Sequence, residues 1–309
     1  MPTSLPKERC ERARDQLRRF ATAGVARLVE DCLGRLDDPG NSCAVWGLRL
    51  IRADLMRLHG NTQEALEYLD GQEKLCPPTG DDLESLIGLK KTRGYCLGLL
   101  GRYALSHDLI QQAERLASNA GMRELQCEVR QCQAMIYYLE EDYASSDRVF
   151  RLILADSAEL GGWYFRANAL WGIGKNLMIQ GHHRKALPWL EDSLALFESA
   201  GVRISMAIVW SEMAVCYLGL GDHRRSMELF ESALQIQQEA GMVRNYQVVL
   251  ANIGNVYLQR GDYLRAIDHY RRALELARQI QYPTSIEKWS HNIRLAYKRL
   301  RESIESLAL

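Results

Sequence analysis

Seven histidines and eight cysteines are the side chains of this sequence best suited to holding a metal or attacking a substrate. His182 and His183 are adjacent, and His223 follows the second of them after 40 residues. The cysteines (Cys10, Cys32, Cys43, Cys76, Cys96, Cys127, Cys132, Cys216) contain no C-x-x-C pair and no metal-ligand spacing. Nothing local singles out one Cys/His pair as a nucleophile and its base, and cysteines scattered through helices act as small hydrophobes in a reducing compartment. The phosphate-cradling patterns G-x-x-x-x-G-K-[ST] and G-x-G-x-x-G are absent. No catalytic residue, metal site or cofactor is assigned, and the expectation is that the chain is not an enzyme.

A third set of side chains, selected by a resemblance to a repeat family that is named below, suits recognition better than catalysis. It comprises Asn252 and Asn255, then Lys288, Asn292 and Arg299, then Asn168, Trp171 and Lys175, then Tyr138, and finally Lys91 and Tyr95. An asparagine amide donates and accepts at once, so a row of them can pair with the backbone of an extended peptide whatever its side chains. Lysine and arginine beside that row suit an acidic side chain or a terminal carboxylate. Whether these residues share one surface depends on the elements that carry them.

Those elements follow a 40-residue ruler. Gly181, Gly221 and Gly261 fall at equal intervals, as do Gly121, Gly161, Gly201 and Gly241. Two glycine series on one period mark a stacked helical hairpin, with one glycine at the turn inside each unit and one at the junction to the next. The clearest unit, Ala251 to Leu276, places Ile253, Gly254, Tyr257, Gly261, Tyr263, Ala266, Tyr270 and Ala273 in one register. Earlier units carry Trp210, Ala214, Tyr217, Ser226 and Phe230; Gly174, Ala186 and Leu190; Ala134, Tyr137, Tyr143, Ser146 and Phe150; Gly94, Tyr103 and Ser106; and Ala53, Gly60, Ala65 and Leu69.

This pattern resembles the tetratricopeptide repeat. The resemblance implies an all-α solenoid, a right-handed superhelix of antiparallel helix pairs with a C-terminal capping helix. The organisation read from the register is an N-terminal degenerate hairpin over 1–45, six units over 46–286 and a capping helix over 287–309. Within a hairpin, Gly254 or Ala214 is expected to face Ala266 or Ser226 so that the backbones approach closely. Pro188 is expected in the first turn of its helix, and the unit with E-E-D-Y in place of a turn glycine at Glu141 is expected to be weak. His183 and His223 occupy the slot of Tyr103, Tyr143 and Tyr263. Stacked repeats hold equivalent positions about 9–10 Å apart, too far to share a metal with bonds near ~2 Å.

The resemblance also implies that the first helices of successive units line a concave groove, which places the eleven recognition residues there. The implied function is a non-catalytic scaffold or adaptor that holds a protein or peptide segment in the groove. The alternative is a sensory or regulatory module controlling a separate peptidase, kinase or transcription regulator, since similar 40-residue repeats occur in bacterial signalling regulators and peptide-pheromone receptors. The 39 basic and 39 acidic residues balance, so no global field recruits nucleic acid or an anionic membrane. No apolar run approaches the ~20 residues that span a bilayer. A cytoplasmic protein is expected, and the sequence defines no oligomeric state.

Overall fold

In the computed structural model, residues 22–35, 45–58, 60–78, 82–160, 162–280 and 282–307 are described. They form fourteen helices: α1 (Thr22–Arg35), α2 (Trp46–Leu58), α3 (Thr62–Leu75), α4 (Leu83–Leu99), α5 (Tyr103–Asn119), α6 (Arg123–Leu139), α7 (Tyr143–Leu160), α8 (Trp163–Ile179), α9 (His183–Ser199), α10 (Arg203–Gly219), α11 (His223–Glu239), α12 (Val243–Gln259), α13 (Tyr263–Gln279) and α14 (Pro283–Leu307). The first helix of the expected N-terminal hairpin, the turn at 37–41 and Gly161 lie outside the described residues. Among the described residues there is no strand, and no helix is long and apolar enough to cross a membrane.

The chain divides into two compact units, Met1–Asn176 and Leu177–Leu309. Each is an α-solenoid stack of antiparallel helix pairs. In the first unit each helix from α1 to α6 packs on the next, α6 packs on α7, and α2 also meets α4, as α4 meets α6. In the second unit successive helices from α9 to α14 pack together, and α10 also meets α12. The additional contacts join first helices of neighbouring pairs, so these helices form a continuous wall within each stack.

The turns explain the ruler. Gly101, Gly121, Gly181, Gly201, Gly221, Gly241 and Gly261 all have φ between 66° and 80°, the left-handed region where a Cβ is costly. The residue after the glycine then donates back to a carbonyl five residues earlier, as in Arg102 N to Leu97 O at 2.9 Å and Asp262 N to Tyr257 O at 2.9 Å. This is the paired-bond helix ending that satisfies orphan carbonyls. Asp222 and Asp262 then cap the next helix, accepting from the backbone N–H of Arg225 and Arg265. At the α6–α7 turn the same conformation falls on Glu141, at φ 62°, and Asp142 still caps through Ser145.

Packing inside the hairpins refines the expected small-to-small contact. Ser106 does approach Gly94, its hydroxyl donating to that carbonyl at 2.7 Å. At α12–α13, however, the space over Gly254 belongs to Tyr270, whose ring atoms would lie 2.8 Å and 2.9 Å from an added Cβ. Phe150 of α7 lies over Gly172 of α8 across the junction between successive pairs, in contact with the face where a Cβ would stand. The glycine therefore admits an aromatic ring. Pro188 also differs from expectation: it is the sixth residue of α9, in the second turn, so the bond to the carbonyl of Arg184 is missing from the helix interior.

Polar anchors hold the stacks in register. In the first unit Arg130 of α6 pairs with Glu114 of α5 and Asp156 of α7, and Arg93 pairs with Asp70 at 2.7 Å and Glu73 at 2.8 Å. In the second unit the buried Gln247 of α12 donates to Ser285 at 3.0 Å and accepts from the indole of Trp289, tying α12 to α14. Around that tie Leu250, Ile267, Tyr270, Leu274 and Ala296 close the core beneath the last helix.

Two glycines in helix interiors should respond oppositely to alanine. Gly71 in α3 has no neighbour within 4 Å of its Cβ position, so Gly71→Ala should raise stability by about 0.5–1 kcal/mol. Gly172→Ala must displace the buried Phe150 ring and should cost about 1–3 kcal/mol. Urea midpoints of the two variants check both signs. Glu141→Gly should raise the thermal midpoint by relieving about 1 kcal/mol of left-handed strain, whereas Glu141→Ala should leave it near the parent value.

Candidate functional site

The wall of first helices in the first unit borders an open cavity of about 350 Å³. Its lining comes entirely from α2, α4, α6 and α8: Asp54 and Arg57 from α2, Glu84, Gly88, Lys91 and Tyr95 from α4, Glu128, Gln131, Cys132 and Met135 from α6, and Tyr164, Asn168 and Trp171 from α8 among others. The spacing within each helix is three or four residues, which puts the side chains on one face. Across helices the 40-residue period aligns Gly88, Glu128 and Asn168, and likewise Lys91, Gln131 and Trp171. Gly88 keeps the floor close: a Cβ there would sit 2.5 Å from Cδ1 of Leu50.

The polar groups of the wall are largely matched. Arg57 donates to Asp54 at 3.3 Å and 3.2 Å and lies over the ring of Tyr95, 4.7 Å from its centroid. Burial works to discharge that guanidinium, but Asp54 and smaller pulls from Tyr95, Cys132 and Cys96 together outweigh it and hold the proton more firmly than in water. Lys91 donates to Glu128 at 2.6 Å, the two side chains being 17% and 24% exposed. Burial again opposes the charge, and Glu128, helped by Cys132 and Asp54, overcomes it, so the ammonium is more strongly protonated than usual. Tyr95 is pushed up by burial against the opposing pull of Arg57.

Chemically the wall can grip and does not offer an activated nucleophile. Burial pushes the Cys132 thiol up to about 11 even though Lys91 and Arg57 pull the other way, so the thiolate is scarce at neutral pH. Among the described residues no three His, Cys, Asp or Glu side chains converge as ligands for a metal ion. His183 packs where a Cβ of Gly219 would stand, and His223 pairs with Gln259 at 3.2 Å, so both serve turns between helices.

Of the eleven residues singled out in the sequence, Lys91, Tyr95, Asn168 and Trp171 line this cavity. Lys175 and Tyr138 adjoin it through Trp171: the Lys175 ammonium lies 4.8 Å from the Trp171 ring and 4.7 Å from that of Tyr138. Asn168 donates to the Tyr164 carbonyl at 2.8 Å. The remaining five belong to the second unit. Asn255 donates to Asn252 at 3.2 Å and accepts from the buried Tyr270 hydroxyl at 2.7 Å, so its carbonyl supports the hairpin core. Lys288 lies over the Trp289 ring, Arg299 pairs with Glu302 at 3.6 Å, and Asn292 is half-buried on α14. Sequence reasoning missed Asp54, Arg57, Glu84, Glu128 and Tyr164. For Glu128 the signal was its place 40 residues before Asn168, a slot already marked.

Residues 205–279 match the tetratricopeptide repeat family model. The matched segment is tetratricopeptide repeat, and the helix pairs of both units share its antiparallel architecture. The fold of the chain is similar to that of a Rap protein complexed with Competence and Sporulation Factor, at 18% identity over 99% of this chain and 89% of that one, TM-score 0.70. It is also similar to NprR in complex with its cognate peptide NprX, at 16% identity over 98% and 89% of the two chains, TM-score 0.67. A third similar fold is aspartyl phosphate phosphatase F from Bacillus subtilis, at 11% identity over 96% and 94%, TM-score 0.58. No curated protein matches the chain at a significant level.

The Lys91–Glu128 pair is testable apart from any ligand. Lys91→Met removes the cation that matches Glu128 in a wall with little water, and should cost about 2–3 kcal/mol. Adding Glu128→Gln to that variant should return part of the loss. A double-mutant cycle by urea unfolding measures the coupling.

Proposed function

We propose that this protein is a non-catalytic binding module that holds an extended peptide, or an extended segment of a partner protein, against the first helices of its repeats. The observation that carries the reading is the origin of the cavity lining, which comes from α2, α4, α6 and α8 alone and includes four of the residues singled out for recognition. Three rings, Tyr95, Tyr164 and Trp171, set among aliphatic and mutually paired polar side chains offer a segment both apolar contact and hydrogen bonds. On the same reading, Asn252, Asn255, Lys288, Asn292 and Arg299 form a second contact stretch on α12 and α14, with the amide nitrogens rather than the Asn255 carbonyl facing the ligand. The similar fold determined with a cognate peptide, and that determined with Competence and Sporulation Factor, support a bound ligand of the peptide class.

Similarity to proteins described as a quorum sensor and as a phosphatase favours a regulatory setting, in which the bound segment changes what a separate effector does. A cytoplasmic location fits that role, as does the absence of any global charge field for nucleic acid or membrane.

A random-sequence peptide display library, panned on the protein and on a Gln131→Trp variant, tests the reading. Gln131 lies on the cavity wall and is half-buried, so an indole there should occupy the cavity while the core is kept. Peptides enriched on the parent should be lost from Gln131→Trp. Enrichment of the same peptides on both would place binding elsewhere and sink the assignment of this cavity.

A further inference from the structure

The cavity beside α2, α4, α6 and α8 is balanced in charge and has none to spare. Its lining carries three carboxylates, Asp54, Glu84 and Glu128, and two cations, Arg57 and Lys91. The Lys175 ammonium adjoins it, 4.8 Å from the centroid of the Trp171 ring, and makes the signs equal. Each cation is engaged within the protein: Arg57 with Asp54 at 3.2 Å, Lys91 with Glu128 at 2.6 Å, and Lys175 with the rings of Trp171 and Tyr138. Glu84 is not free either. An acidic or basic side chain entering here meets no unmatched opposite charge. It must break a largely buried pair or lose its own water without compensation, and either is unfavourable.

What the cavity offers instead is apolar surface. The rings of Tyr95, Tyr164 and Trp171 stand among the ion pairs with Leu125, Cys132 and Met135, and all six side chains are half-buried. Part of each is therefore still in water and gains by being covered. Methionine adapts its shape to what it covers. At about 350 Å³ the cavity lies at the small end of ligand pockets, about 300–1,000 Å³, so it takes one or two side chains of a segment whose remainder lies outside.

We propose that this cavity seats one uncharged, bulky apolar side chain of the bound segment, of the class of Leu, Met or Phe, as its anchor. This rests on the peptide-binding reading above and adds which side-chain chemistry is selected. The selection works by exclusion as much as by attraction, because the ion pairs reject a charged competitor while the rings and Met135 accept a neutral one. An acidic side chain or a terminal carboxylate, which Lys91 and Lys175 suggest in the sequence, has no seat here.

The test begins with the peptides that the display library enriches on the parent and that Gln131→Trp loses. They should share one position that holds Leu, Met or Phe and is depleted of Asp, Glu, Lys and Arg. One of them, synthesised with a fluorophore, then gives Kd by fluorescence anisotropy with that anchor exchanged. Ala at the anchor should weaken binding about 10- to 100-fold, and Glu or Lys there should weaken it at least as much. The loss with Ala should persist as NaCl rises from about 50 to about 300 mM, since the contact is neutral. These exchanges are made in the ligand, so they leave the fold of the protein untouched. On the protein side, Met135→Ala widens the cavity: a Leu anchor should lose about 3- to 10-fold, while a Phe or Trp anchor loses less or gains. The thermal midpoint of the unliganded variant checks that it is folded, and an unfolded variant leaves the decision to the ligand exchanges.

A shared acidic or basic position among those peptides would overturn the proposal, as would full affinity with Glu or Lys at the anchor. A folded Met135→Ala variant with an unchanged order of anchor sizes would overturn it as well. If no peptide is enriched, or if Gln131→Trp keeps them all, the peptide-binding reading of this cavity falls and takes the inference with it. Peptides lost from Gln131→Trp yet held by a charged side chain defeat this inference alone.

Discussion

Everything in this molecule depends on how closely two helices of a pair can approach, and that depends on reversing the chain in two or three residues at each end. A left-handed residue at the turn lets the last carbonyls of one helix find donors in the residues that begin the next. Glycine fills that role at seven turns that share nearly the same φ. With the reversal so short, the second helix lies directly against the first, and the space over an interior glycine is just enough for an aromatic ring, as Tyr270 shows at Gly254. The first helices of neighbouring pairs then come close enough to share a wall.

That wall separates two jobs along each first helix. The inward residues, such as Ile87, Ala134 and Ile136, are buried in the stack and tolerate little change. The outward face carries charges and rings, and most of its polar groups are satisfied by each other. Such matching limits the desolvation cost of a partly buried polar surface, yet it leaves few groups available for a ligand. On the proposed function, selectivity would rest with the rings.

The helix pairs were legible because glycines and aromatics repeat on a fixed period, and the turns obey that period down to the hydrogen bond. Identifying the face was possible for the same reason: Lys91 and Trp171 share a slot 80 residues apart. Less legible were the charges. Asp54 and Arg57 sit where the register slips by one residue, and Glu128 reads as an ordinary solvated carboxylate until its pairing with Lys91 is known. Side chains with two roles misled in another way. Asn255 looks like a free amide in the sequence but supports Tyr270 through its carbonyl, and Pro188 looked like a helix start while standing a turn further in.

Equal slots on successive first helices carry one more implication. Packed helices recur about every 8–10 Å, whereas an extended chain advances about 3.3 Å per residue. A segment laid across α2, α4, α6 and α8 would thus present every third residue to an equivalent slot, so Gly88, Glu128 and Asn168 address positions in the segment that differ by three. Recognition on such a wall would have a grammar with a period of three, and the two residues between successive addressed positions could vary without being read.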